Sequence, residues 1–167
     1  MVQTTLDIRE PGLNSLPPGV ERYVVEGGGL TGIQILPDDE IEIINNEGGQ
    51  ICEITAFNND GKSELGILSL KETKSDSEIK KILLKKDETS LQALLQLKKR
   101  NLQIEKSKSS LIFDKETKAG ESIKLKSKDK CYCIFAAPSN EMVIHEQNPS
   151  TELTVMINRS VVKEDKE

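Results

Sequence analysis

Hydrophobic and polar positions alternate with period two along most of this chain, and one central stretch departs from that rule. Arg22-Tyr23-Val24-Val25 is a β-branched strand signal that ends at the triple glycine Gly27-Gly28-Gly29, and Thr31 to Leu36 begins the next strand. Pro37-Asp38-Asp39 supplies turn chemistry, after which Glu40 to Ile44 reads as a third strand. The run Asn45-Asn46-Glu47-Gly48-Gly49 tolerates positive φ, so Gln50 to Phe57 is predicted to return as the second half of a hairpin. Asn58-Asn59-Asp60-Gly61 closes that strand. Further on, Ser110 to Phe113 is short, and Ile123 and Leu125 alternate with Lys124 and Lys126. Cys131 to Ala136 is continuously apolar, as a central strand buried on both sides would be. Leu153, Val155 and Ile157 complete the series.

Between residues 75 and 104 the period lengthens to about 3.6. Ser75 with Glu78 forms a capping-box pattern ahead of Ile79, Ile82 and Leu83. A second helix opens near Asp87 or Thr89 and places Leu91, Leu94, Leu95 and Leu102 along a stripe. Lys98, Lys99 and Arg100 fall toward its end, where cations suit the helix dipole.

These elements predict a mainly β (α+β) fold, a β-sandwich or barrel-like domain of roughly nine strands with a two-helix insertion around residues 75–104. Pro11, Pro17 and Pro18 with Gly12 and Gly19 block regular structure, so residues 1–20 read as an extended N-terminal arm. Residues 21–160 read as a single mixed-β domain and 161–167 as a polar tail or linker. No internal repeat of fixed period is visible.

Composition narrows the function classes. At 167 residues the chain is long enough to bury a core without disulfide or metal staples. Aromatics are only 3%, so that core rests on Ile, Leu and Val. Three cysteines, an odd number, argue against a disulfide framework and suit a reducing compartment. With no apolar run of membrane length and no secretory pattern, the sequence reads as soluble and cytoplasmic. The net charge of −5 is uneven: residues 1–70 sum to −9, residues 71–130 to +7 and residues 131–167 to −3. The basic middle interleaves lysine with Glu and Asp and lacks aromatics for base stacking, so it reads as a solvated surface rather than a nucleic-acid site.

Few residues are equipped for chemistry. The single histidine, His145, leaves no room for a multi-histidine metal site, and its plainer reading is a loop histidine. Cys131 and Cys133 share one face of a strand, and with Cys52 and His145 they could in principle surround zinc. The plainer reading is core packing, the usual place of free cysteine. Gly27-Gly28-Gly29 precedes another strand rather than a helix, which fits a turn better than a phosphate loop. The most informative segment is Glu47-Gly48-Gly49-Gln50-Ile51-Cys52-Glu53. Its glycine turn delivers Gln50 and Glu53 onto a strand, on opposite faces unless a bulge intervenes. A Glu53 carboxylate among Cys52, Ile54, Ala56 and Phe57 must find a partner or shift its pKa, which makes Gly48, Gly49, Gln50 and Glu53 the candidate ligand-binding set. The alternative for Glu53 is a solvent-facing pleat.

These residues carry a resemblance. Arg22 to Gly29, Asp38 to Ile43 and Glu47 to Glu53 together resemble the N-terminal domain of aminomethyltransferase-type (glycine cleavage T-protein-like) proteins. That domain is similar in turn to the urea-carboxylase-associated family, whose Gly-x-Gln-x-x-Asp turn and strand match Gly48, Gln50 and, conservatively, Glu53. The resemblance implies an accessory or ligand-binding domain of a folate-dependent one-carbon enzyme. Tetrahydrofolate would then be held by a folate-binding aminomethyltransferase-type domain in cis or in trans, with catalytic residues unassigned here. It also implies an alternative, a small stand-alone enzyme acting on a urea- or guanidine-derived compound, with Glu53 as acid/base and a cysteine as nucleophile or metal ligand.

Overall fold

The computed structural model of the chain describes residues 16–73, 95, 98–103, 107–138 and 150–160. Eight strands lie among them: β1 (Val20–Val25), β2 (Leu30–Ile35), β3 (Glu40–Asn45), β4 (Cys52–Phe57), β5 (Ser110–Ile112), β6 (Glu121–Lys126), β7 (Cys131–Ala136) and β8 (Leu153–Asn158). They form two four-stranded sheets in the orders β1-β8-β3-β6 and β2-β7-β4-β5. Every pairing is antiparallel. Each connection except β4 to β5 carries the chain from one sheet to the other, which is the winding of a jelly roll. The mainly β sandwich read from the pattern is therefore the fold.

Period-two alternation fills the space between the sheets. Ile41 and Ile43 of β3, Ile33 and Ile35 of β2, and Leu153, Val155 and Ile157 of β8 turn inward and meet Cys52, Ile54, Ala56, Cys131, Cys133 and Phe135 in one cluster. A short 3₁₀ turn, Leu65–Leu68, adds Ile67 and Leu68 to it. The outer face of the β1-β8-β3-β6 sheet carries charge instead, with Glu40 opposite Lys126 and Glu42 opposite Lys124. The outer face of the other sheet is covered. There Phe57, Ile134 and Ala136 pack with Leu30, Leu102 and Tyr132, so β4 is buried along its whole length and β7 nearly so.

The hairpin expected of β3 and β4 does not form. Asn45 pairs with Glu121 and Leu153, whereas Cys52 pairs with Ile112 in the other sheet. The glycine turn is a crossover, and its two positive-φ glycines bend the chain across the end of the sandwich rather than back along it.

The predicted two-helix insertion falls in the β4–β5 connection, the one that stays within a sheet. Residues 74–94, 96–97 and 104–106 lie outside the described set, as do Leu91 and Leu94 of the predicted stripe. Leu95, Lys98 and Lys99 are helical, and of the two described members of the stripe Leu95 is 58% exposed while Leu102 packs against the core. The helix ends at Asn101, whose φ of 58° is left-handed, and this turn breaks the helical phase before Leu102 drops onto Phe57. Arg100 lies over the Tyr132 ring at 4.3 Å and its guanidinium donates to Gln34 Oε1. The Tyr132 ring in turn covers Gly32, where a Cβ would meet its phenol oxygen. Among the described residues no helix is long and apolar enough to cross a membrane.

Candidate functional site

Gly48 and Gly49 take φ of 82° and 73°, a conformation that costs an L side chain about 1–2 kcal/mol. Space is restricted as well: a Cβ on Gly48 would come within 2.7 Å of Thr117 O and 2.8 Å of Ala119 N, both backbone atoms. Gly48→Ala is therefore expected to cost about 2–3 kcal/mol, the strain and the steric clash together. A urea titration checks this, and a change of less than half that size would show that the turn relaxes freely.

The turn exists to bring Gln50 into the end of the sandwich. Gln50 is fully buried. Its Nε2 donates to Ile51 O at 2.8 Å and to Pro138 O at 2.9 Å, while its Oε1 accepts from Thr151 N at 2.8 Å. Asn45, on the inward side of β3, donates from Nδ2 to Gln50 O at 2.8 Å. One carboxamide thus ties the start of β4 to the end of β7 and the start of β8, and the main-chain carbonyl of the same residue holds the end of β3. Gln50, which the sequence nominates as a ligand group, spends its amide hydrogens on the protein itself.

The residues that retain capacity are ones the sequence reading passed over. Asn45 Oδ1 and Thr151 Oγ1 are buried and, among the described residues, have no hydrogen-bond partner. Both residues bond to Gln50, one on each side of it. Asn45 was detectable in principle, because it continues the inward parity of Ile41 and Ile43 and a polar residue there is a buried one.

Glu53 and Cys52 go separate ways. Cys52 joins the interior cluster, and burial pushes its thiol far above the ordinary range, with the Glu53 charge adding to the effect. Such a thiol is not a nucleophile at neutral pH. Glu53 alternates to the outer face of its sheet beside Leu111 and Ala136 and is fully buried there, so the solvent-facing pleat is excluded. Gly48, Gly49 and Gln50 are thus one local assembly, while Glu53 faces the layer that covers the second sheet.

Nor do the cysteines gather. Register places Cys52 opposite the Ala137 end of β7, four residues beyond Cys133 or about 13 Å along the strand. Cys131 and Cys133 do share a face, with sulfurs 3.5 Å apart. His145 lies outside the described residues. Among the described residues no group of three or more His, Cys, Asp or Glu is arranged to hold a metal. Two shallow grooves, of about 450 and 440 Å³, lie away from the glycine turn. The first sits on the charged outer sheet face beside Glu40, Glu42, Lys124 and Lys126, and the second beside Ser69, Ser127 and Lys128.

The jelly roll, with its Gly48 to Glu53 crossover, can be set beside known proteins. The chain is similar to a trimethylamine-oxide aldolase. That relative, from Ruegeria pomeroyi (strain ATCC 700808 / DSM 15171 / DSS-3), is 35% identical over 157 residues, 93% of this chain. The chain spans about a fifth of the length of this aldolase, 20% of it. No family model matches the chain.

Proposed function

We propose that this domain is an accessory, ligand-binding module of a folate-dependent one-carbon enzyme of the trimethylamine-oxide aldolase kind. The observation that carries the reading is the coverage: almost the whole jelly roll aligns with one fifth of an aldolase, which leaves four fifths of that enzyme for other work. The transfer chemistry is assigned to a folate-binding aminomethyltransferase-type domain, in cis or in trans.

Chemistry supports joining the two. An aldolase cleavage that releases a one-carbon aldehyde from trimethylamine oxide leaves dimethylamine, and formaldehyde so released is what a tetrahydrofolate carrier captures. The domain described here would hold or orient a small polar molecule rather than cleave it. Its polar end supports this role, since Asn45 Oδ1 accepts and Thr151 Oγ1 can donate or accept. Among the described residues of that end, Cys52 is held neutral and Gln50 is committed, so neither is suited to proton transfer.

The test is a formaldehyde assay on the purified chain with trimethylamine oxide, with and without tetrahydrofolate. No turnover is expected from the chain alone. Mixing it with a separately produced folate-binding aminomethyltransferase-type domain is expected to give a complex by sedimentation. Turnover by the chain alone would overturn the accessory role.

A further inference from the structure

Cys131 and Cys133 are the one pair of thiols brought into contact among the described residues, and the accessory role makes no use of them. Their sulfurs lie 3.5 Å apart on the inward face of β7. Two residues of extended strand put their Cα atoms about 6.6 Å apart, inside the range that a disulfide spans, but their Cβ atoms are about as far apart and must approach to roughly 4 Å for the bond to close. Closing the bond needs β7 to buckle at Tyr132 and give up ladder hydrogen bonds there with β2 and β4.

A groove lies one residue away from the pair. Ser127 Oγ is 3.7 Å from Cys131 Sγ, and Ser127 lines the 440 Å³ groove together with Asp38, Leu68, Ser69 and Lys128. Both residues are nearly closed to solvent, at 1% and 0% exposure, and so is Ser127, so peroxide enters by a local opening beside Ser127. Cys131 is the sulfur beside Ser127 and so on the groove side of the pair, which makes it the attacking sulfur, and its hydrogen bond with Cys133 lowers its pKa.

The residue between them links the interior to the outer face. Tyr132 points outward, covers Gly32 and carries Arg100 on its ring. Puckering β7 at this residue displaces the ring on which the described end of the insertion rests.

We propose that Cys131 and Cys133 form a peroxide-closable dithiol whose intrastrand disulfide loosens the Arg100–Tyr132 seat of the β4–β5 insertion. The steps balance. The Cys131 thiol gives up its proton and its sulfur attacks one oxygen of hydrogen peroxide; the O–O bond breaks, the departing hydroxide takes up that proton and leaves as water, and Cys131 becomes a sulfenic acid. Cys133 sulfur then attacks the Cys131 sulfur, the S–O bond breaks, and a second water departs with the Cys133 proton. Two thiols and one peroxide yield one disulfide and two waters, with the peroxide reduced and the sulfurs oxidised.

The folded full chain treated with hydrogen peroxide is expected to lose two hydrogens by intact mass and to give a peptide linked between Cys131 and Cys133. Cys52→Ser is expected to react as the unaltered chain does, whereas Cys131→Ser and Cys133→Ser lose the link. Amide exchange over residues 98–103 is expected to rise on oxidation and to return after dithiothreitol. Recovery of Cys131 as sulfinic acid with Cys133 still a thiol would overturn the dithiol, a result that stands even if the serine variants fold poorly. A linked peptide with unchanged exchange over 98–103 would overturn the coupling to the insertion.

Discussion

Arg159→Met is expected to lower the stability of the folded chain by about 4 kcal/mol, because it strands a buried carboxylate. Asp39 is fully buried, and Arg159 Nη1 reaches its Oδ2 at 2.6 Å. The guanidinium also donates to Glu21, from Nε at 3.0 Å and from Nη2 at 2.8 Å, and to Gln34 O at 2.9 Å. These bonds, the one to Glu21 foremost, hold Arg159 charged against the penalty of its own burial. The Asp39 carboxylate is more than a counter-ion, since Leu36 N and Ser160 N donate to its two oxygens and fix both the β2–β3 turn and the exit from β8. Glu21 is 40% exposed at its side chain, so Glu21→Gln is expected to cost less than about 1 kcal/mol. Urea midpoints measure both. Adding Asp39→Asn to Arg159→Met is expected to recover part of the loss, because the orphaned charge then disappears. Equal effects of Arg159→Met and Glu21→Gln would mean that the buried carboxylate is not the source.

Gln50→Ala is expected to cost about 3 kcal/mol, since it removes the buried bond to Pro138 O and the part-buried bonds to Ile51 O and Thr151 N. Gln50→Glu is expected to do no better. A carboxylate can still accept from Thr151 N, but it faces two carbonyl oxygens to which it has nothing to donate. Amide exchange separates this from a general loss of packing. Thr151 N is expected to lose its protection in Gln50→Ala by more than the global stability change accounts for. If trimethylamine oxide or a folate shifted the melting temperature of Gln50→Ala as much as that of the unaltered chain, Gln50 would have no part in ligand binding either directly or through the loops it holds.

The strands were legible because period two survives a sandwich whose inner faces meet: Ile41, Ile43, Val155 and Ile157 could be assigned inward from spacing alone. Cys131 to Ala136 was likewise readable as a central strand from its unbroken apolar run. What spacing does not encode is which sheet receives the next strand. A turn such as Asn46 to Gly49 suits a hairpin and a crossover equally, and the choice is made by partners distant in sequence, Glu121 and Leu153 on one side and Ile112 on the other. The same holds for the candidate site. Burial of Glu53 could be anticipated from its neighbours, but the consumption of Gln50 by Pro138 and Thr151 could not, because those partners lie 88 and 101 residues away. Arg159 went unnoticed for a related reason: as a lone arginine before a polar tail it carries no local mark of its pairing with Asp39.

The sheet order has a bearing on how the domain comes into being. The last strand, β8, lies between β1 and β3, so that Val20 pairs with Asn158 and both early strands wait for the final segment to arrive. A nascent chain released only as far as β7 would expose two unpaired strand edges, open to pairing with other chains. Closing so long a loop is slow, and folding is therefore expected to be a late, concerted event in synthesis rather than a progressive one. The same closure sets the beginning and the end of the jelly roll side by side, a geometry that lets such a unit be carried within a longer polypeptide with little disturbance to what flanks it.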